Sequence, residues 1–165
     1  MAGGRSSRMG KNKALLAFKG LPMVEHMQKI LANAGLVDIY ISGTLEGYET
    51  IPDHEPQAGP GRAIAHLISE FANRYERLFF IPVDMPSMSE NTVRRLILTP
   101  GNVFIKSHPL PCSLLTRDAM LAASSVKGIL TETSATALDI ADSEEKDFLN
   151  LNTPEEWEKA MASTF

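Results

Sequence analysis

The spacing of hydrophobic residues predicts helices and strands that alternate along the whole chain. Apolar side chains three and four positions apart indicate amphipathic helices over Pro22–Ala34 and Arg62–Asn73. The continuous apolar run Leu78–Val83 is typical of a strand that is buried on both faces. Shorter patterns predict, in chain order, a strand over Val37–Ser42, a loop over Thr44–Gly61, a helix from Ser89 to about Leu98, strands over Asn102–Ile105 and Pro111–Leu115, a helix over Asp118–Ser124, a strand over Ala135–Ile140 and a helix that begins at Thr153.

This alternation predicts one α/β domain that covers residues 1–165, with a doubly wound, mostly parallel sheet flanked by helices. The 165 residues are the usual size of a single domain, and no repeat or long linker divides them. In such sheets ligands bind at the carboxyl ends of the strands. The functional residues are therefore expected in the loops that follow the strands.

Composition narrows the class of protein. No apolar run approaches the length of a membrane-spanning helix, and the first residues lack the apolar centre of a signal peptide. The single cysteine, Cys112, excludes an internal disulfide and a cysteine-rich zinc site. We therefore expect a cytoplasmic protein that does not bind membranes.

Charge is distributed unevenly along the chain. The net charge of −4 argues against general nucleic-acid binding, which usually requires an excess of basic residues. The first 20 residues nevertheless hold five bases and no acid, whereas Glu132–Glu158 holds nine acids and one base. A basic, glycine-rich segment is suited to a small polyphosphate, although a solvated basic terminus would have the same composition.

The segment Ala2–Lys13 is rich in glycine, serine and basic residues. Glycines allow backbone N–H groups to turn towards a phosphate, and the bases neutralise its charge. The spacing is not that of a Walker A loop, because five residues separate Gly4 from Gly10 and Asn12 follows Lys11. It does not match the dinucleotide-binding GxGxxG pattern either.

The whole opening string is more specific than its composition. It resembles the AGGxSxRMGxxKALL signature of the MobA-like nucleotidyltransferases through Ala2, Gly3, Gly4, Ser6, Arg8, Met9, Gly10, Lys13, Ala14, Leu15 and Leu16. Further blocks that resemble this family follow in the family's order at Gly20–Met23, Gly59–Pro60, Pro82–Pro86, Pro111–Leu115 and Asn150–Glu156. The resemblance implies a nucleotidyltransferase that uses Mg²⁺ to transfer GMP from GTP to molybdopterin and releases pyrophosphate.

The resemblance also implies roles for individual residues. The opening loop, with Ala2, Gly3, Gly4, Ser6 and Gly10, would wrap the nucleotide triphosphate. Arg8 and Lys13 would neutralise phosphate charge as catalytic residues, and Asp84, just after the Leu78–Val83 strand, would bind the metal and share in catalysis. The structural alternatives are a surface lysine at position 13 and a turn or helix-capping aspartate at position 84.

Residues for the base and the acceptor are implied in the same way. Asp53 would accept hydrogen bonds from the guanine edge, and Ser42, Gly59 and Pro60 would line the nucleotide site. Asn150 and Asn152 would face the acceptor, unless they satisfy the loop backbone before the last helix. The segment Gly61–Ala63 departs from the family's GPLAGI, so Arg62 would stack on a ligand, clash with it or point outward.

Two other functions remain open at this point. One is a nucleotidyltransferase of the same fold that uses CTP or another small phosphate acceptor, although the Ala-Gly-Gly opening favours GTP. The other is an N-terminally truncated, inactive homologue, because family members have a central strand before the Ala-Gly-Gly and Met1 stands in its place. A chain that lacks this first strand is expected to form an altered homodimer or strand-exchanged dimer, or to have a disturbed nucleotide loop.

Overall fold

The computed structural model describes residues 1, 12–55, 58–118 and 121–162, which form a mixed α/β domain. Its elements are, in chain order, β1 (Ala17–Phe18), β2 (Leu21–Pro22), α1 (Met23–Asn33), α2 (Pro60–Phe71), β3 (Arg77–Phe80), α3 (Glu90–Leu98), β4 (Val103–Ile105), β5 (His108–Leu115), α4 (Val126–Glu132), β6 (Thr136–Leu138) and α5 (Pro154–Ala162).

The main sheet has the strand order β3-β5-β4-β6. Strand β5 is antiparallel to both β3 and β4, and β4 is parallel to β6. The expectation of an α/β domain is met, but the mapped sheet is mixed, not mostly parallel. The difference arises because β4 turns back directly into β5, with Ser107 at φ +71° in the turn, and a tight hairpin of this kind joins antiparallel strands.

Helices are found where apolar spacing and capping residues predict them. The predicted helices around α1, α2 and α3 are confirmed to within two residues at each end. The Ser89 hydroxyl accepts a hydrogen bond from the Thr92 amide at 3.1 Å and caps α3. At the start of α5, the Glu156 amide donates to the Thr153 hydroxyl at 3.2 Å, as the Thr-Pro-Glu-Glu sequence predicts.

Two further sequence predictions, besides the mostly parallel sheet, are wrong over the described residues. Residues 37–42 are not a strand, since among the described residues Ser42 makes a single parallel bridge with Ile51 and residues 37–40 have no ladder partner. The helix expected over Asp118–Ser124 is not found at its described residues: a 3₁₀ turn ends at Asp118, residues 121–124 are not helical, and residues 119–120 lie outside the described part of the chain. Helix α4 begins after Ser125 because the Ser125 hydroxyl accepts from the Gly128 amide at 3.0 Å.

Residues 78–83, which belong to β3 and the extended segment after it, contribute alternately to two hydrophobic clusters. Phe79, Ile81 and Val83 pack in the cluster that contains Met27 and Leu31 of α1. Leu78 and Phe80 pack in the cluster that contains Ile64 and Ile68 of α2. Helices α1 and α2 therefore cover opposite faces of this strand, because alternate side chains point to opposite faces.

Close packing also explains a glycine in α2. A Cβ atom on Gly61 would lie 2.3 Å from the backbone oxygen of Ser124, so the segment before α4 approaches α2 too closely for any side chain. Gly61 stands where the family's GPLAGI pattern has an apolar residue, and the close approach of the Ser124 backbone gives the physical reason for a glycine at this position.

Buried and terminal residues complete the fold. Cys112 is fully buried in β5, and burial raises the pKa of its thiol above the usual range. Trp157 of α5 packs edge-on against Phe18, with ring centroids 5.9 Å apart. Within the part of the chain that the structure describes, no helix is long and apolar enough to cross a membrane.

Candidate active site

Three polar side chains from distant parts of the sequence meet just beyond the carboxyl end of β3. The Lys13 ammonium donates to Asp84 Oδ2 at 3.1 Å and to Asn152 Oδ1 at 2.7 Å. The Lys13 and Asp84 side chains are 16% and 19% exposed, so their ion pair is partly shielded from water. The group defined by Lys13, Asp84 and Asn152 is called the polar cluster below.

Lys13 is held by the turn on which it lies. Residues Lys13–Leu15 form a 3₁₀ turn, and the Asn12 side chain caps it by accepting from the Ala14 amide at 3.1 Å. Ala14 is fully buried, so the turn is fixed to the core next to the lysine. Directly after the turn, the Met23 amide bonds to the Leu16 carbonyl at 2.9 Å and ties the segment to α1.

Asp84 and Asn152 are joined through the backbone between them. The Leu151 amide donates to the Asp84 carbonyl at 2.9 Å, and the Leu151 side chain is buried. The Glu156 carboxylate accepts from the Asn152 amide at 2.6 Å, which fixes the residue before α5. The His26 ring bonds to the Pro86 carbonyl at 2.9 Å and holds the loop after Asp84.

The cluster presents hard oxygen donors around a single cation. Asp84 Oδ2 and Asn152 Oδ1 both lie within hydrogen-bond distance of one nitrogen, so they are close to each other. One carboxylate and one amide oxygen are donors that Mg²⁺ accepts when phosphate oxygens and water complete its shell. The described residues contain no group of three or more His, Cys, Asp or Glu side chains that could hold a metal ion. A metal bound at the polar cluster would therefore take further ligands from the substrate and from water.

Another cation lies near the cluster. The Met1 ammonium donates to the Ile81 carbonyl at 2.8 Å. Burial lowers the pKa of this ammonium from 8.0 to about 6, while the negative charges of Asp84 and Asp53 oppose the shift. The hydrogen bond to Ile81 thus holds the ammonium in a position where burial disfavours its charged form. The carboxylates of Asp84 and Asp53 act on it electrostatically.

The residues expected around the base lie in two places. Asp53 lines a cavity of about 410 Å³ together with Arg62 and His66 of α2, next to the helix start at Gly59 and Pro60. Gly59 has φ +88°, which glycine adopts without strain. Ser42 is buried in its bridge with Ile51 and lines a different cleft, beside β3.

Arg62 and Asn150 take positions that the sequence left open. Arg62 lies 4.0 Å from Glu55, and about half of its side chain is exposed, so it lines the rim of the cavity without filling it. Asn150 is exposed and has no hydrogen-bond partner among the described residues, whereas Asn152, two residues on, belongs to the polar cluster. The buried Leu151 between them accounts for this alternation.

The structure thus brings together Lys13, Asp84 and Asn152, and it places Asp53 in one cavity with Arg62 of α2. Six further predicted residues lie outside the described part of the chain: Ala2, Gly3, Gly4, Ser6, Arg8 and Gly10. Sequence reasoning missed the roles of Asn12 and Glu156 in positioning the cluster. An asparagine directly before a short turn and a glutamate four residues after Asn152 were the signals available.

Ligands of α/β domains bind beyond the carboxyl ends of strands, and a lysine beside a carboxylate at that place is suited to neutralising and positioning a phosphate group. A family model described as the MobA-like NTP transferase domain matches residues 1–123. The chain belongs to this family, and the resemblance noted in the sequence is confirmed. It is therefore a nucleotidyltransferase.

Curated relatives match over nearly the full length of the chain. A protein of Xanthomonas euvesicatoria pv. vesicatoria (strain 85-10) named molybdenum cofactor guanylyltransferase is 34% identical over 174 residues, which cover 98% of this chain and 92% of the relative. A protein of Pseudomonas fluorescens (strain SBW25) with the same name is 29% identical over 181 residues, covering 94% and 88%.

Solved structures confirm the fold. The molybdopterin-guanine dinucleotide biosynthesis protein A of Archaeoglobus fulgidus superposes with a TM-score of 0.73 at 16% identity and covers 98% of this chain and 95% of its own. A nucleotidyl transferase from Methanothermobacter thermautotroptrophicus superposes with a TM-score of 0.71, also at 16% identity, and covers 98% and 94%. Identities this low support the fold alone.

Proposed function

We propose that this chain transfers GMP from GTP to molybdopterin and releases pyrophosphate. An oxygen of the terminal phosphate of molybdopterin attacks the α-phosphorus of GTP, and the bond from that phosphorus to the bridging oxygen of the β-phosphate breaks. The observation that carries the proposal is the convergence of Lys13, Asp84 and Asn152 at distances of 3.1 and 2.7 Å. Relatives named guanylyltransferases at 29 and 34% identity supply the choice of nucleotide and acceptor.

Both substrates are anions, so the protein must chiefly neutralise and position them. Lys13 binds oxygens of the α-phosphate and offsets the charge that develops as pyrophosphate leaves. The basic opening segment, with Arg8 and the backbone of Ala2, Gly3, Gly4, Ser6 and Gly10, wraps the triphosphate. Five bases and no acid in the first 20 residues support this role.

Asp84 and Asn152 are the residues that would hold Mg²⁺. Bound there, the ion would supply charge neutralisation on the phosphate oxygens. In the ligand-free arrangement the Lys13 ammonium donates hydrogen bonds to the same two oxygens and balances the negative charge of Asp84. Asn150, exposed beside Asn152, contributes to the binding of the acceptor.

Base selection falls to the cavity beside α2. The Asp53 carboxylate accepts hydrogen bonds from the N1–H and N2–H₂ groups of guanine, a pair that cytosine lacks. Gly59 and Pro60, at the start of α2, border the nucleotide, and Ser42, which lies outside this cavity in the cleft beside β3, completes the proposed nucleotide site. Hydrogen bonds to a charged group contribute about 1.5–3 kcal/mol, enough for a tenfold to hundredfold preference.

Calorimetric titration with GTP and Mg²⁺, with CTP as the control, tests the base. Saturable binding of GTP alone is expected, and Asp53→Ala should weaken it by about tenfold or more without creating CTP binding. The matched control is Asp139→Ala, because Asp139 is an exposed aspartate paired with Lys106 on the surface. Transfer that proceeds with CTP and not with GTP would overturn the guanylyl assignment.

Product formation tests the transfer itself. GTP, Mg²⁺ and molybdopterin should yield pyrophosphate and a molybdopterin–GMP conjugate, detected by mass. Lys13→Met should slow this transfer by about 10²–10³-fold. Lys106→Met is the matched control, since Lys106 forms a surface ion pair at 3.0 Å with Asp139 and should leave the rate unchanged. Equal rates for the two variants would exclude Lys13 from catalysis.

A further inference from the structure

The cavity of about 410 Å³ beside α2 is lined by two charged groups of opposite hydrogen-bonding character. The carboxylate of Asp53, when ionised, only accepts hydrogen bonds, whereas the guanidinium of Arg62 only donates them. Arg62 stands where the family's GPLAGI pattern has a small residue. The combination of these two groups in one cavity is therefore a property of this chain.

Two contacts hold the segment that contains Asp53 against α2. The Arg62 Nε atom lies 4.0 Å from a carboxylate oxygen of Glu55, and the ring centroids of His54 and His66 are 4.9 Å apart. Arg62 and His66 are four residues apart on α2, so they share one face of the helix. Since the two loop residues directly follow Asp53 in the chain, their contacts keep Asp53 close to the first turns of α2.

The Arg62 guanidinium is available to a ligand. Its side chain is 48% exposed and the Glu55 side chain is 59% exposed, and an ion pair of this kind contributes little to stability. Arg62 makes no side-chain hydrogen bond with the residues that the structure describes. The His66 ring, by contrast, already has the Glu70 carboxylate at 3.3 Å. The guanidinium can therefore turn onto a ligand without breaking a contact that the fold requires.

Guanine carries, along one continuous edge, the groups that match this pair of side chains. Its N2–H₂ and N1–H groups are donors, and the adjoining O6 and N7 atoms are acceptors. A planar guanidinium binds O6 and N7 together through two N–H groups, which the ammonium of a lysine does less well. A carboxylate on the donors and a guanidinium on the acceptors would therefore cover the whole edge.

Given the proposed function, which assigns the base of GTP to this cavity, we propose that Arg62 determines base specificity by donating to O6 and N7 of guanine. Asp53 accepts from N1–H and N2–H₂ of the same base. Adenine is rejected at both contacts, because its N6 amino group opposes the guanidinium donors and its N1 lone pair opposes the carboxylate. Arg62 touches only the base, so it acts on substrate binding and not on the chemical step.

Calorimetric titration of the unchanged chain with GTP and with 7-deaza-GTP, both with Mg²⁺, tests the contact to N7. The analogue has a C–H group in place of N7 and keeps every other hydrogen-bonding group of guanine. We expect it to bind about tenfold more weakly than GTP, which is the effect of one hydrogen bond to a charged group. Equal affinities in a chain that still transfers GMP from GTP would overturn this proposal and leave the proposed function standing. A chain that binds neither nucleotide would contradict both.

The variant Arg62→Met removes both donors to the base. It should bind GTP about tenfold to hundredfold more weakly and should no longer distinguish GTP from 7-deaza-GTP. Its KM for GTP should rise while kcat stays nearly unchanged, because the base takes no part in bond breaking. Arg94→Met is the matched control, since Arg94 is a similarly exposed helical arginine that pairs with Glu90 at 3.4 Å. The control should keep the full preference for GTP.

A second variant, Arg62→Lys, separates recognition of the base from neutralisation of the triphosphate. Lysine keeps the positive charge but lacks the planar pair of donors, so we expect it to recover only part of the affinity for GTP. The ratio of GTP to ATP affinities should fall by about tenfold or more in Arg62→Met. Full recovery by lysine, together with an equal loss of GTP, 7-deaza-GTP and ATP binding in Arg62→Met, would show that Arg62 acts on the phosphates and would overturn the proposal.

Discussion

A cleft of about 350 Å³, called the slot below, lies between β3 with its continuation and the extended segment 36–42. The polar cluster and the slot adjoin the same strand, but the groups that line them are satisfied in opposite ways. In the cluster, Lys13, Asp84 and Asn152 come from three distant segments and satisfy one another by hydrogen bonds. In the slot, apolar side chains line both faces, but the backbone edges of 37–40 and β3 lack partners within the described residues. The polar side chains beyond the carboxyl end of β3 thus form the candidate active site. The backbone edge of β3 that faces away from β5 lies beside a cleft lined by apolar side chains.

Because of this difference, substitutions in the polar cluster and substitutions around β3 should affect different quantities: the rate of the reaction in the first case and the free energy of unfolding in the second. Cluster residues are polar and partly solvated, so removing one should slow the reaction and leave the free energy of unfolding nearly unchanged. Residues packed around β3 are apolar, so truncating them should lower the free energy of unfolding and leave the turnover of the folded molecules intact. Each prediction below tests that separation.

The largest effect is expected for Asp84→Asn. The change keeps the shape of the side chain but removes the charge that pairs with Lys13 and that would hold Mg²⁺. The rate of nucleotidyl transfer should fall by about 10²–10³-fold, whereas the free energy of unfolding should change by less than about 1 kcal/mol. Steady-state kinetics and urea denaturation measure the two quantities. Asp139→Asn is the control, and a large stability loss for Asp84→Asn alone would show that the cluster is structural.

The next effect concerns the two edges of β3. Leu114 is fully buried in β5 beside the paired edge, so Leu114→Ala should reduce the free energy of unfolding by about 2–5 kcal/mol. Ile39 stands on the far wall of the slot, where a cavity already exists, so Ile39→Ala should reduce it by about 1 kcal/mol. Urea denaturation compares the two variants. Equal losses would mean that the slot wall is packed as tightly as the paired edge.

Much of this architecture is accessible from the sequence because local signals determine it. The apolar spacing of α1, α2 and α3 and the Thr-Pro-Glu-Glu start of α5 act within a few residues, and the structure has these helices in place. Asp84 is found at the end of a buried apolar run, as the pattern indicates. The family motif adds Lys13 and Asn152, which lie on opposite ends of the chain and meet at Asp84.

Features that depend on distant contacts are the ones the sequence does not reveal. Residues 37–40 have strand-like side chains but no neighbouring strand within the described residues, so propensity alone is misleading there. The antiparallel position of β5 depends on the turn after β4. The requirement for glycine at position 61 depends on the backbone of Ser124, which is 63 residues away and only 2.3 Å from the Cβ position.

The Met1 ammonium, which lines the slot and interacts electrostatically with Asp84 of the polar cluster, should make stability depend on pH. The pKa of the Met1 ammonium is lowered from 8.0 to about 6 by burial, so between these values the unfolded chain binds more protons than the folded chain. The free energy of unfolding should therefore rise with pH from 6 to 8, by on the order of 2 kcal/mol.

Urea denaturation at several pH values measures this slope, with the α-amino-acetylated protein as the control. Acetylation removes the titrating group, so the difference between the two proteins isolates Met1 from Asp84, Asp53 and the histidines. Parallel pH profiles for the free and acetylated proteins would show that the ammonium is as well solvated in the folded state as in the unfolded one.

The smallest effect is expected for Asn152, whose amide oxygen positions Lys13 at 2.7 Å. Asn152→Ala removes an acceptor that helps to fix the ammonium, and it should lower kcat by about tenfold, because one hydrogen bond to a charged group contributes roughly 1.5 kcal/mol. Asn73→Ala is the matched control, since Asn73 is exposed before β3, at the end away from Asp84.

Asn152→Asp decides between positioning and structure. The aspartate keeps an oxygen at the position that Lys13 contacts, so it should restore most of kcat, while a purely structural role for Asn152 would leave both variants equally impaired. The free energy of unfolding should be the same for all three proteins within about 0.5 kcal/mol, because Asn152 is exposed apart from this contact. A fall in stability that matched the fall in kcat would remove the distinction between the polar cluster and the packed faces of β3.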